Sequence, residues 1–113
     1  MKLPCPPNSC AMDSLLRLVT GPWTTYIVWV LDDHGAQRFG SLKRQIRGIS
    51  TRMLTVRLRL LEETGLVSRH VIPTSPPQVS YSLTSRGQEL GAVLKELSAV
   101  ARRWQAEDIR AAA

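Results

Sequence analysis

Two sets of side chains in this sequence have the types and spacing to do chemistry. The first is basic. Between Asp33 and Glu62 there is no acidic residue, yet Arg38, Lys43, Arg44, Arg47, Arg52, Arg57 and Arg59 all fall there, nearly half of the fifteen Lys and Arg residues. Cationic groups without counter-charges lay down a single-sign field, and that field is an address for a polyanion. The second set is thiol. Cys5 and Cys10 stand in a proline-rich opening segment. Two cysteines do not make the disulfide framework of a secreted fold. Cys10 is either a small buried hydrophobe at a helix start or a thiolate stabilised by the positive end of that helix, which lowers its pKa. Catalysis finds no support: the sequence holds no nucleophile motif, no paired catalytic carboxylates and no Gly-rich phosphate loop. His34 and His70 lack partners at metal-ligand spacing, so a zinc or copper sensor built from Cys5, Cys10 and a histidine is a distant alternative.

The elements that must carry the basic set follow from apolar periodicity. Residues 1–10 hold three prolines and no periodic pattern, and read as an extended arm. Met12, Leu15, Leu16 and Val19 fall at helical spacing over Ala11–Thr20. Thr20-Gly21-Pro22 stops that helix. Trp23 to Leu31 is almost wholly apolar, too short to cross a bilayer, and reads as a buried central helix ending at Asp32-Asp33-His34-Gly35.

A short helix follows over Phe39–Arg47, with Phe39, Leu42 and Ile46 inward and Lys43, Arg44 and Arg47 off the stripe. Gly48 breaks it. Ser50 caps the next helix, Thr51–Thr64, whose core stripe is Leu54, Leu58 and Leu61. Thr51, Arg52, Thr55 and Arg59 fall on the opposite half, and Arg57 near the core edge. Gly65 takes the C-terminal cap position. Leu66–Ile72 and Val79–Leu83 read as two strands around Pro73-Thr74-Ser75-Pro76-Pro77, a hairpin with a stiff tip. Thr84 or Ser85 caps a last helix running to about Glu107, with Leu90, Val93, Leu94, Leu97, Ala101 and Trp104 as its stripe.

That order gives a mainly α fold with a small β-hairpin wing: an α+β winged helix-turn-helix over residues 11–107, with a tail at 108–113. In such a fold the second helix of the motif enters the major groove of double-stranded DNA and the helix before it crosses the backbone. Lys43, Arg44 and Arg47 then neutralise phosphates. Ser50, Thr51, Arg52, Thr55 and Arg59 are the candidate contacts on the recognition helix. Arg38 precedes the motif, and Arg69 and His70 lie on the wing. The net charge of +6 and pI of about 10.2 agree with an anionic partner. No segment reaches the length of a membrane span, and the N-terminus lacks an apolar signal core. A soluble cytoplasmic protein without a cofactor is the expectation.

The segment Gly48-Ile49-Ser50-Thr51-Arg52-Met53-Leu54-Thr55-Val56-Arg57-Leu58, followed by Leu61-Glu62-Glu63-Thr64-Gly65-Leu66-Val67, resembles the HxlR family of bacterial winged-helix regulators. Gly21-Pro22-Trp23-Thr24, Arg38-Phe39 and Pro76-Pro77-Gln78-Val79-Ser80-Tyr81-Ser82-Leu83-Thr84 match further family stretches in order. The resemblance implies a homodimeric transcription factor on a roughly palindromic operator. It also implies a thiol-responsive cysteine before the first helix, a position that Cys10 occupies. It says nothing about Cys5, which can pair with Cys10, pair between subunits, or be idle. The sequence departs from the family pattern at Ala11, Pro22 and Gln78. The first and last helices are expected to build the dimer, because a lone exposed apolar stripe is a liability. Trp23, Trp29 and Trp104 read as core or dimer-interface residues, with a ligand pocket as the alternative. The competing function class is a winged-helix module that docks an acidic protein on its basic face.

Overall fold

Among the described residues, helix-period and strand-period patterns become five helices and a small sheet. The computed structural model describes residues 10–112, so Cys5 and the expected arm before Cys10 lie outside the described residues. α1 (Cys10–Val19) begins at Cys10 itself, one residue earlier than the periodicity predicts. It ends where Thr20 donates its N–H and its hydroxyl to the Leu16 carbonyl, at 2.9 and 2.7 Å. Gly21 and Pro22 turn the chain into α2 (Thr24–His34), which buries Thr24, Ile27, Val28 and Leu31 along one stripe. α2 outlasts the apolar run and closes on Gly35, whose N–H reaches the Leu31 carbonyl at 3.0 Å.

α3 (Phe39–Gln45) and α4 (Thr51–Glu63) form the helix-turn-helix. α4 closes in a Schellman arrangement, with Leu66 N–H on the Leu61 carbonyl at 2.9 Å and Gly65 N–H on the Glu62 carbonyl at 3.0 Å. The wing is β2 (Val67–Ile72) paired antiparallel with β3 (Gln78–Leu83). A third strand, β1 (Gln37–Arg38), was not legible in the sequence. It pairs antiparallel with the other edge of β3, setting Gln37 opposite Tyr81 and Arg38 opposite Ser80. β3 is therefore central, and the wing is tied to the entrance of α3.

The core gathers Ile27, Val28, Leu31, Leu42, Ile46, Ile49, Leu54, Leu58 and Leu61 with Leu66 and Val67 at the wing base and Leu90 and Leu94 of the last helix. Each such side chain contributes roughly 1.5–3 kcal/mol on burial. α5 (Ser85–Ala112) is held at its start by Thr84. The Thr84 hydroxyl donates to the Gly65 carbonyl at 2.6 Å and accepts from Gly87 N–H at 3.1 Å. α5 runs to Ala112, so residues 108–112 are helix and not the expected tail. At 1.5 Å per residue its 28 residues extend about 42 Å. Only Gly87, Leu90, Gly91 and Leu94 are buried, and Val93, Leu97, Trp104 and Ile109 are exposed.

Candidate nucleic-acid interface

The turn between α3 and α4 is fixed from inside. Ile46 and Ile49 are both buried, on either side of Gly48, which takes the left-handed value φ 89°. A Cβ at Gly48 would stand 3.5 Å from the ring of Trp23. Trp23 is itself left-handed, at φ 69°, and it precedes the first residue of α2. Such a backbone costs of order 1–3 kcal/mol and persists where packing over-determines it. The indole thus braces the turn that sets α4 relative to α3. α4 starts on Ser50, whose Oγ accepts from Met53 N–H at 3.0 Å.

Leu42, Leu54, Leu58 and Leu61 point inward, and that fixes what points outward. Lys43 and Arg44 are exposed on α3. Arg47 is exposed in the turn, since α3 ends at Gln45 and not at Arg47 as periodicity predicts. Ser50, Thr51, Arg52 and Arg59 are exposed along α4. Thr55 is half-buried and donates its hydroxyl to the Thr51 carbonyl at 2.8 Å, which leaves it only acceptor capacity. Arg57 is half-buried with its Nε enclosed, in agreement with its place near the core edge.

Ion pairs among the described residues are Arg17–Asp13, His34–Asp33 and Lys95–Asp32. None involves Arg38, Lys43, Arg44, Arg47, Arg52, Arg59 or Arg69. These cations have no ion-pair partner among the described residues, and α3, the turn and α4 bring most of them onto one motif.

The sheet divides its two arginines. Arg38 faces Ser80 and Arg69 faces Tyr81 in the ladder. Adjacent register positions project to opposite faces of a sheet. Arg69 is exposed, but on the face opposite to Arg38. Arg38 Nη2 donates to Gln78 Oε1 at 2.6 Å. A polar network also joins β1 to α3: Ser41 Oγ donates to Gln37 Oε1 at 2.6 Å, and Gln45 Nε2 lies 2.9 Å from both Gln37 Oε1 and Ser41 Oγ. Neither Gln78 nor this network entered the sequence-derived site. The repeat of polar residues at 37, 41 and 45 is the signal that was available.

The profile of the HxlR-like helix-turn-helix family matches residues 18–109. The chain belongs to that family. As an HxlR-like protein it is a DNA-binding transcriptional regulator with a winged helix-turn-helix. It is 40% identical over 88 residues to the transcriptional regulator YodB of Bacillus subtilis, covering 78% of each chain. Against the reduced form of YodB the TM-score is 0.73 at 38% identity, over 88% of this chain and 92% of that one. A MarR-family transcriptional regulator from Enterococcus faecalis V583 gives a TM-score of 0.81 at 30% identity, over 97% and 99%. The redox regulator HypR in its oxidised form gives 0.68 at 33% identity, over 87% and 96%. Among the described residues no helix of this HxlR-like chain is long and apolar enough to cross a membrane.

Proposed function

We propose that this regulator works as a homodimer on an inverted-repeat operator, and that thiol chemistry at Cys10 sets its occupancy. The observation that carries the DNA reading is the exposed, unpaired basic set on α3, the turn and α4. In this reading Lys43, Arg44 and Arg47 neutralise backbone phosphates, while Thr51, Arg52, Thr55 and Arg59 face the major groove. Ser50 holds the start of α4 at the groove, and Arg38 on β1 and Arg69 on the wing serve the flanks. Homodimerisation is supported by the exposed apolar residues of α1 (Met12, Leu15 and Leu16) and α5 (Val93, Leu97 and Trp104). A second copy would cover them and carry two α4 helices to major grooves about 34–36 Å apart.

The redox element draws support from the similarity to YodB and to the redox regulator HypR. Cys10 opens α1, an element of the proposed dimer face. Oxidation or alkylation there would act on α1 and, through the dimer, on the spacing of the two α4 helices.

The test is duplex binding across a salt series. Specific affinity should fall steeply with salt, and a selected duplex should outcompete bulk DNA by at least ~10³-fold. Failure of any sequence to do so removes the operator reading. Diamide treatment of wild type and of Cys10→Ser then isolates the thiol, since an equal response in both takes Cys10 out of the mechanism.

A further inference from the structure

Arg38 and Gln78 are forty positions apart in sequence and are joined by a 2.6 Å hydrogen bond. The ladder explains how. Arg38 pairs with Ser80, and Gln78 lies two residues before Ser80 on the same strand, so the two side chains share a sheet face and meet on the diagonal. Both line a cleft of about 450 Å³ between the first residues of α3 and the wing tip. Phe39 and Gly40 form one wall, and residues 74–79 form the other. Among the described residues no carboxylate lines this cleft. The acceptor holding Arg38 is a neutral amide, which orients the guanidinium without cancelling its charge. One N–H is engaged, and the remaining donors of the five stay available for a fork-shaped contact.

We propose that this cleft is a subsite for a DNA backbone phosphodiester flanking the groove contacts. Arg38 binds the phosphate. Gln78 is a positioning residue that holds the Arg38 guanidinium in the cleft beside the wing tip before DNA arrives, so less side-chain freedom is lost on binding. The inference rests on the DNA-binding reading and adds to it a residue outside the basic window.

The test uses the full chain and a duplex enriched by the wild-type protein from a random pool. Arg38→Met, Gln78→Met and the double variant are compared by affinity and by hydroxyl-radical footprinting. Gln78→Met should weaken binding roughly five-fold when Arg38 is present and have no effect beside Arg38→Met, as expected for residues acting as one unit. Both single variants should lose protection at the same flanking backbone positions. A Gln78→Met penalty that persists beside Arg38→Met would mean a general effect on the wing, and would overturn the proposal. So would an unchanged footprint. If the wild type enriches no sequence, the operator reading falls and the subsite with it. A duplex that is enriched but indifferent to Gln78 overturns the subsite alone.

Discussion

Arg57 Nη1 lies 3.4 Å from the point that a Cβ on Gly21 would occupy, so this side chain reaches from α4 to the turn between α1 and α2. Its charge is counted in the basic window, but its place is internal. Arg57→Met should therefore leave the salt slope of duplex binding unchanged. Arg52→Met or Arg59→Met should each lower that slope by about 0.9. Fluorescence anisotropy over a salt series separates them, and an equal loss for Arg57 would return it to the DNA face.

Thr24 is fully buried, and its hydroxyl has no hydrogen-bond partner among the described residues. An unpaired buried hydroxyl costs roughly 1–3 kcal/mol, and valine keeps the shape without the polar atom. Thr24→Val should raise stability by about 1 kcal/mol in urea unfolding. A clear loss of stability would show that the hydroxyl is satisfied in solution.

Gly87 and Gly91 are helical, where propensity alone favours alanine by about 1 kcal/mol. Packing reverses this. A Cβ at Gly87 collides with the Leu66 carbonyl oxygen, which is backbone and cannot yield. A Cβ at Gly91 stands 2.7 Å from Asp32 Cγ, on a side chain that can turn away at the cost of its 3.1 Å contact with Lys95 Nζ. Gly87→Ala should lose about 3 kcal/mol or more and Gly91→Ala distinctly less, as read from thermal unfolding.

Ser50 separates folding from binding. Ser50→Ala removes the cap on Met53 N–H and should cost about 1 kcal/mol. Ser50→Asp keeps a capping oxygen and so keeps stability, but it sets a negative charge between Arg47 and Arg52, inside the acid-free stretch. It should bind duplex DNA markedly more weakly than wild type at an unchanged melting temperature. Equal binding would place Ser50 away from the phosphates.

Much of this was legible because local pattern and tertiary packing agree. Leu54, Leu58 and Leu61 mark the inner face of α4 by period alone, and the same phase set Arg57 apart from its neighbours. Val79, Tyr81 and Leu83 alternate as a strand whose partly buried side chains meet the core at Tyr81 and Leu83. β1 was not legible, because two residues carry no periodicity and Gln37–Arg38 is a strand only through its distant partners Ser80 and Tyr81. The end of α5 was hidden in the sequence for another reason. Ala111 and Ala112 hold no apolar stripe, yet alanine is the best helix former, so the helix continues on propensity. Arg38 was found as a charge, whereas its partner Gln78 was seen only as a departure from a family pattern. Its role depends on a diagonal contact that register alone reveals.

The seat of the Trp23 ring beside Gly48 makes the protein its own optical probe. The indole shares a cleft with Gln45, Ile46 and Arg47, at the turn that leads into α4. Emission lost on Trp23→Phe is the part that excludes Trp29 and Trp104, and it reports the turn without an attached dye. Any shift in that difference spectrum when DNA or an oxidant is added would be a signal from the joint between the two helices of the motif.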